Sequence, residues 1–280
     1  MNYIPMIVLK QGDSKILLIT QLEHQDLAGQ IAAVWGNSDF SEPEPFSPMV
    51  AAAGNHDNGW WERDIHPTVN PKNGLPYAFT ELPVLEWLLM YKRGIERIAE
   101  CDPYEGLMVG MHGVGLRKNR YGTVPATDRR DRLTSKEENA VRDYITSGEK
   151  LQGKLRRKLS SSPLYRRHST KQRVWNNYEL LQVWDRLSLY LCSGGQSGGI
   201  KDGVLSPTPS NYSKGDLELH LERRNNGDVK IKPFPLKKSP ARMSVRGRLI
   251  PDKHYGGDEE LRRAYYAGES TTMAFNIVSA

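Results

Sequence analysis

The spacing of hydrophobic positions changes several times along the chain, and each change marks a predicted element. Residues 6–10 and 15–20 are dense in aliphatic and β-branched side chains on both sides of a Gly-Asp turn, which predicts a β-hairpin. From Gln21 onwards, apolar residues recur every three or four positions, which is the spacing of a helix. Further helices are predicted at residues 49–58, 81–100, 103–116 and 171–192, with a polar helix after a capping box at 135–138. The middle of the chain is therefore predicted to be helical.

The last third of the chain follows a two-residue period instead. Leucines alternate with polar residues over 217–221, and Asn226-Gly227 then turns the chain into residues 229–232, which predicts a second hairpin. Further strands are predicted at residues 241–250, 261–267 and 272–278. We therefore predict a mainly α fold, in which a helical core carries an antiparallel β-sheet built by the N-terminal hairpin and the C-terminal strands. The hairpin, the helical core and the C-terminal β region are predicted to span residues 1–20, 21–200 and 201–280.

Composition and charge narrow the class of protein. The 280 residues are 38% hydrophobic and 26% charged, which is typical of globular chains and excludes disordered and collagen-like proteins. The net charge is +6, but no zinc-finger spacing, aromatic RNA-binding motif or glycine-lysine phosphate loop accompanies it, so nucleic acid is not an expected partner. No apolar run approaches the ~20 residues of a membrane span, and two cysteines cannot form a secreted disulfide framework. We expect a cytoplasmic protein with no membrane partner, and a homodimer stays an open alternative.

Histidine and aspartate residues interrupt the apolar stripes of the predicted helices and are candidate metal ligands. The candidates are His24, His56, Asp57, His112 and Asp185. A lone imidazole or carboxylate is costly to bury, and a shared cation removes that cost. Mixed imidazole and carboxylate ligands favour iron, manganese, zinc or nickel over the all-oxygen sites of calcium. A hydrogen-bonded core histidine is the ordinary alternative for any one position, but the whole set on predicted helices favours a metal site.

The order and local sequence of these candidates resemble the HD-domain superfamily, whose helical proteins hold one or two metal ions between helices. The resemblance lies in residues 21–30, 51–57 and 183–187. More narrowly, the chain as a whole, including residues 55–60 and the predicted terminal sheet, is similar to an uncharacterised bacterial family of HD-like proteins known only as a domain of unknown function.

The superfamily resemblance also implies roles for the individual ligands. A first metal ion would be held by His24, His56, Asp57 and Asp185, with Asp57 bridging to a second ion at His112. Well-studied members with two ions place another histidine close to the position of His112, and this chain has none there. One complete site is therefore predicted, and a second stays open.

Other residues near the predicted ligands are candidates for catalysis and substrate binding. Asp57 is also a catalytic candidate. Glu23 and Asp64 are predicted to orient a ligating imidazole or to exchange protons with a metal-bound water, and the ordinary alternative for both is an exposed charge. Trp60 is predicted either to wall a pocket or to fill the core. A basic segment follows His112 and either binds a substrate phosphate or is solvated; its candidates are Lys118, Arg120, Arg129 and Arg130.

The leading functional hypothesis is a metal-dependent phosphohydrolase acting on a small, anionic, phosphorylated or nucleotide-like substrate. In such an enzyme the metal activates the attacking water. The first alternative is an iron oxygenase with a diiron pair, because several HD-domain proteins use the same ligand order for oxygen chemistry. The second alternative is a metal-binding module without catalysis, whose closed coordination shell only holds the helices together.

Overall fold

The structure is a computed structural model that describes residues 7–12, 14–77, 79, 81–123, 133–195, 198–213, 215–225 and 227–280. Its helices are α1 (Gln21–Ala33), α2 (Phe46–Asn55), α3 (Trp61–Asp64), α4 (Val84–Cys101), α5 (Pro103–Arg117), α6 (Ser135–Ser161), α7 (Lys171–Cys192) and α8 (Asp258–Ala267). Its strands are β1 (Ile7–Gln11), β2 (Lys15–Ile19), β3 (Val69–Asn70), β4 (Leu75–Pro76), β5 (Val204–Pro209), β6 (Asp216–Arg223), β7 (Val229–Lys232), β8 (Ala241–Pro251) and β9 (Glu269–Ser279).

Local capping signals fix where several helices begin. The Asp102 side chain accepts hydrogen bonds from the first backbone N–H groups of α5, and Pro103 occupies the first helical position. Helix α6 begins with a reciprocal capping box between Thr134 and Glu137, one residue earlier than the sequence pattern predicts. Among the described residues, no helix has both the length and the apolar character that crossing a membrane requires.

Helices α1, α2, α5 and α7 pack against one another. Glycine permits a close contact between two of these helices, because a Cβ added at Gly29 of α1 would lie 3.1 Å from the Cα of Gly54 in α2. The two helix backbones therefore approach closely, and this approach brings the C-terminal end of α2 beside α1.

Seven strands of the described chain form one sheet in the order β1-β2-β8-β9-β7-β6-β5. Strand β2 pairs with β8, so that Ile16 lies opposite Ile250. The main hydrophobic core includes Leu17 and Ile277 of the sheet together with Trp184 of α7. Helices and sheet therefore share this main core, whereas Ile16 and Ile250 belong to a second cluster with Leu261 and Tyr265 of α8.

The predicted mainly α fold with an antiparallel sheet is wrong. The structure is half helical and has a large, curled, mixed sheet, because β7 runs parallel to β9 while the other pairs are antiparallel. Alternation of apolar residues reveals which face of a strand is buried but not which strand lies beside it or in which direction. Strand β5 was missed because Pro207 and Pro209 interrupt it, and it lies at a sheet edge, where proline is tolerated.

The strand predicted at residues 261–267 is also wrong, because this segment belongs to helix α8. Leu261 and Tyr265, four positions apart, are its buried residues. Acidic residues at 258–260 occupy the first turn, where they interact favourably with the positive end of the helix. Short apolar runs are compatible with both a strand and a helix, and here the packing against the sheet decides between them.

Candidate metal centre

Four helices bring the predicted ligands into one buried cluster. His24 lies on α1, His112 on α5 and Asp185 on α7, while His56 and Asp57 follow directly after the last residue of α2. Each of these five residues is at most 5% exposed. The predicted helix over 49–58 is too long at its C-terminal end, because the backbone N–H of Asp57 donates to the Gln25 side chain instead of continuing the helix.

The first group of potential ligands consists of His24, His56 and Asp185. The Nε2 atoms of the two imidazoles lie 3.2 Å apart. Asp185 Oδ1 lies 3.3 Å from His24 Nε2 and 3.4 Å from His56 Nε2. Two ligand atoms bound tetrahedrally to one ion at about 2.1 Å are about 3.4 Å apart. The spacing of these three atoms therefore fits a shared transition-metal ion.

The hydrogen bonds of the two Nδ1 atoms show which nitrogen of each neutral imidazole carries the proton. Ser188 Oγ donates to the Asp185 backbone carbonyl and lies 2.9 Å from His24 Nδ1, so it accepts the Nδ1 proton of His24. The Ala53 carbonyl accepts the Nδ1 proton of His56 at 2.8 Å. In the neutral rings both Nε2 atoms therefore carry lone pairs that face each other. Either a shared proton or a shared cation removes this repulsion, and neighbours of this kind orient ligating histidines in metal sites.

A second group overlaps with the first and consists of His56, Asp57 and His112. Asp57 Oδ1 lies 3.5 Å from His112 Nε2. Asp57 Oδ2 instead faces the first group, 3.7 Å from His56 Nε2 and 3.8 Å from His24 Nε2. The two oxygens of Asp57 therefore face different imidazoles, which is the arrangement that a bridging carboxylate requires.

Charges within the cluster shift the pKa values of its members. Burial alone would lower the pKa of His56, but the carboxylates of Asp57 and Asp185 outweigh it and raise that pKa to about 9. Burial would raise the pKa of Asp57, but the imidazoles, His56 first, hold it at about 2. The pKa of Asp185 is held well below its usual range despite burial, chiefly by the Arg120 guanidinium. Without a metal, the centre therefore holds two carboxylates and a protonated His56 at neutral pH, and a metal ion competes with that proton.

Arg120 extends the cluster towards solvent. Its Nη2 donates to Asp185 Oδ2 at 2.7 Å, while Asp185 Oδ1 faces the imidazoles. Arg120 belongs to a short turn after α5 and has a left-handed backbone with φ of 51°. Its Nη1 is buried and has no hydrogen-bond partner in the described part of the chain.

Comparison with protein families gives one match. Residues 6–252 match the family of proteins of unknown function called DUF3891. The chain belongs to this family. No curated protein and no solved structure matches it.

In this DUF3891 protein, the sequence did not indicate two hydrogen bonds that position Asp57, one made to it directly by Tyr91 and one made to Tyr91 by Trp60. The hydroxyl of Tyr91 on α4 donates to Asp57 Oδ1, and Trp60 Nε1 donates to the Tyr91 hydroxyl at 3.2 Å. Trp60 is only 1% exposed and packs in the core, and it also lines a small pocket with Asp64 and Tyr77, so both alternatives left open by the sequence describe its position. Tyr91 gave no signal because it falls within the apolar stripe of a helix, where an aromatic residue is ordinary.

The two further acidic candidates of the DUF3891 protein lie in different surroundings. Glu23 pairs with Arg246 of β8 at 3.2 Å, so its side chain turns towards the sheet. Asp64 is buried and accepts a hydrogen bond from the backbone N–H of Leu22. Burial, together with the nearby charge of Asp57, raises the pKa of Asp64 to about 8.

Of the remaining basic candidates, the structure describes Lys118, which pairs with a residue outside the cluster. Lys118 pairs with Glu149 of α6 at 2.5 Å. Arg129 and Arg130 lie outside the described residues. Of the two predicted substrate-binding cations that the structure describes, Lys118 and Arg120, Arg120 is therefore the one in contact with a candidate metal ligand.

Proposed function

We propose that this DUF3891 protein is a metal-dependent phosphohydrolase that acts on a small phosphorylated substrate. The observation that carries the proposal is the spacing of three potential ligand atoms: the Nε2 atoms of His24 and His56 lie 3.2 Å apart, and the carboxylate of Asp185 lies beside both. Imidazole and carboxylate donors together favour iron, manganese, zinc or nickel. The order of these ligands on converging helices also supports a relationship between this centre and those of the HD-domain superfamily.

Residues around the centre suit the hydrolysis of a phosphate ester. A bound metal ion lowers the pKa of a coordinated water and polarises the phosphoryl group. Arg120 adds a fixed positive charge, and its Nη1, which has no partner among the described residues, offers a donor to a phosphate oxygen. Tyr91 and Gln25 hold Asp57 by its carboxylate and its backbone. The pKa of Asp64, raised by burial to about 8, suits proton exchange near neutral pH.

The proposal is tested by metal analysis and an activity screen on the same preparations. The protein is purified with and without air, its metals are quantified, and phosphomonoesters and nucleotides are screened as substrates. We expect bound transition metal, metal-dependent phosphate release, and loss of both in His56→Gln. The matched control is His220→Gln, which alters an exposed histidine on β6. Phosphate release that survives complete metal removal contradicts the proposal.

The overlapping second group favours one alternative, an iron oxygenase with two irons that share Asp57. Hydrolysis needs only a Lewis acid, so turnover with manganese or cobalt continues without oxygen. An oxygenase stops when dioxygen is withheld and requires two irons per chain. Full metal occupancy without turnover of any substrate, in air or without it, instead supports the non-catalytic binding module.

A further inference from the structure

A cleft of about 610 Å³ lies between α5, α6 and the beginning of α7. Its volume falls within the range of small-molecule sites, roughly 300–1,000 Å³. None of the five candidate metal ligands lines it. The cleft is therefore a second place where a ligand can bind, distinct from the metal centre.

Three cations line this cleft, Arg156 and Arg157 from α6 and Lys171 from α7. Within the described chain, none of them forms an ion pair, and the hydrogen bond of Arg156 goes to the sulfur of Met111 at 3.4 Å. Partial burial lowers the pKa of the Arg156 guanidinium. A cation removed from water without a carboxylate partner is costly, and a bound anion removes that cost.

The beginning of α7 adds to the positive potential of the cleft. Thr170 caps this 22-residue helix, and the flanking residues Ser169 and Lys171 both line the cleft. The N-terminal end of a helix carries a partial positive charge and presents backbone N–H groups, a combination that favours phosphate. The cationic side chains and the N-terminal end of α7 therefore both make the cleft positive.

Aromatic rings form another part of the cleft wall. The rings of Tyr121 and Trp175 both line it, with their centroids 6.1 Å apart and their planes at 72°. An aromatic face stacks favourably on a planar ring of a ligand, whatever the identity of that ring.

We propose that this cleft binds a small ligand that carries a phosphate group next to a planar ring. The cations would hold the phosphate, and Trp175 would stack on the ring. A small molecule is favoured over nucleic acid because these cations, which form no ion pair within the described part of the chain, line a cavity of small-molecule size. The proposal does not depend on the phosphohydrolase activity, since the candidate metal ligands take no part in this cleft.

The test is titration calorimetry of the whole, metal-free protein with adenosine monophosphate, pyrophosphate and adenosine at one ionic strength. We expect saturable binding of adenosine monophosphate, and dissociation constants that rise about tenfold or more in the double variant Arg157→Gln with Lys171→Gln. Both residues are exposed, so folding is not at risk. The matched control is Lys154→Gln with Lys158→Gln, which removes the same charge from exposed positions of α6 that do not line the cleft; its binding should change less than about twofold.

Two further variants locate the ligand. Trp175→Leu should weaken adenosine monophosphate more than pyrophosphate, and thermal unfolding checks that this variant is folded. Asp57→Asn should leave binding unchanged, because Asp57 belongs to the metal centre. The proposal is overturned by an absence of saturable binding, by an equal loss in the control pair, or by a loss in Asp57→Asn. Binding of single-stranded RNA without binding of adenosine monophosphate would also overturn it and indicate a nucleic-acid surface.

Discussion

The hydroxyl of Tyr91 donates a hydrogen bond to Asp57 Oδ1 at 2.5 Å. Burial raises the pKa of Tyr91 well above its usual value, so the phenol keeps the proton that it donates. Helix α4, which carries none of the candidate ligands, thereby fixes the carboxylate that lies between the two groups of imidazoles. The positioning of Asp57 thus extends beyond the residues that would contact a metal.

Replacing Asp57 tests the centre directly. Asp57→Ala removes the carboxylate that faces all three imidazoles, so metal content should collapse while the helical circular dichroism persists. Metal is measured by elemental analysis after dialysis, beside the His220→Gln control. Retention of full metal stoichiometry in Asp57→Ala would show that the metal assignment is wrong.

Replacing Tyr91 tests the positioning of Asp57. Tyr91→Phe keeps the ring but removes the donor to Asp57 and the acceptor for Trp60, and metal affinity should fall about tenfold or more. The matched control is Tyr144→Phe, because the buried Tyr144 hydroxyl has no hydrogen-bond partner among the described residues. Competition with a metal-binding dye measures both variants. Equal affinities in the two would mean that Tyr91 does not act through Asp57.

The raised pKa of Asp64 predicts that the stability of the folded protein depends on pH. Folding raises its pKa from 3.8 to about 8, so the folded protein favours the protonated carboxyl. This contribution to stability is complete below the unfolded pKa and is lost as pH rises through the folded pKa. Asp64→Asn removes it, since the amide stays neutral and its oxygen still accepts the bond from Leu22.

The measurement compares the free energies of unfolding of wild type and Asp64→Asn, both metal-free, by denaturant titration. From about pH 5 to about pH 7, wild type should lose about 2 kcal/mol relative to the variant. Other titrating groups, His56 among them, are common to both proteins and cancel in the difference. A difference that stays constant over this range would mean that the pKa of Asp64 is not raised.

Two glycines give opposite predictions. A Cβ added at Gly94 of α4 would lie 2.4 Å from the backbone nitrogen of Gly59, which is close behind Asp57 in the chain. Gly94→Ala should therefore destabilise the protein by about 2 kcal/mol or more and weaken metal binding. Gly54→Ala is the control, because nothing lies within 4 Å of its added Cβ. In helix α2 it should stabilise by about 0.5–1 kcal/mol, and thermal unfolding measures both.

Deleting residues 269–280 tests the contribution of β9. This strand lies between β8 and β7, and it buries Phe275 and Ile277 in the core shared with the helices. Its removal leaves two unpaired strand edges and exposed apolar surface, so the truncated protein should be insoluble on expression. A soluble truncation that still binds metal would show instead that the helical region folds without the complete sheet.

The candidate centre was predictable in part. Histidines and aspartates stand out when they interrupt apolar helical stripes, so the sequence indicated each candidate ligand, and the structure brings them together. Tyr91 was not predictable, because an aromatic residue in such a stripe has a sufficient explanation in core packing. The sequence could not predict either that the Glu23 side chain points towards the sheet, because its partner Arg246 is distant in sequence.

The sequence alone determined part of the local structure of this protein. The helical period of apolar residues sets the boundaries of α7, and a turn after β6 sets the position of β7. Capping sets the start of α5. All three signals act over a few residues. Only the tertiary structure decided that β9 lies between β8 and β7, with one parallel pair, and that residues 261–267 are helical. Strand neighbours and buried faces depend on contacts between distant segments, and the free energy of those contacts outweighs weak local preferences.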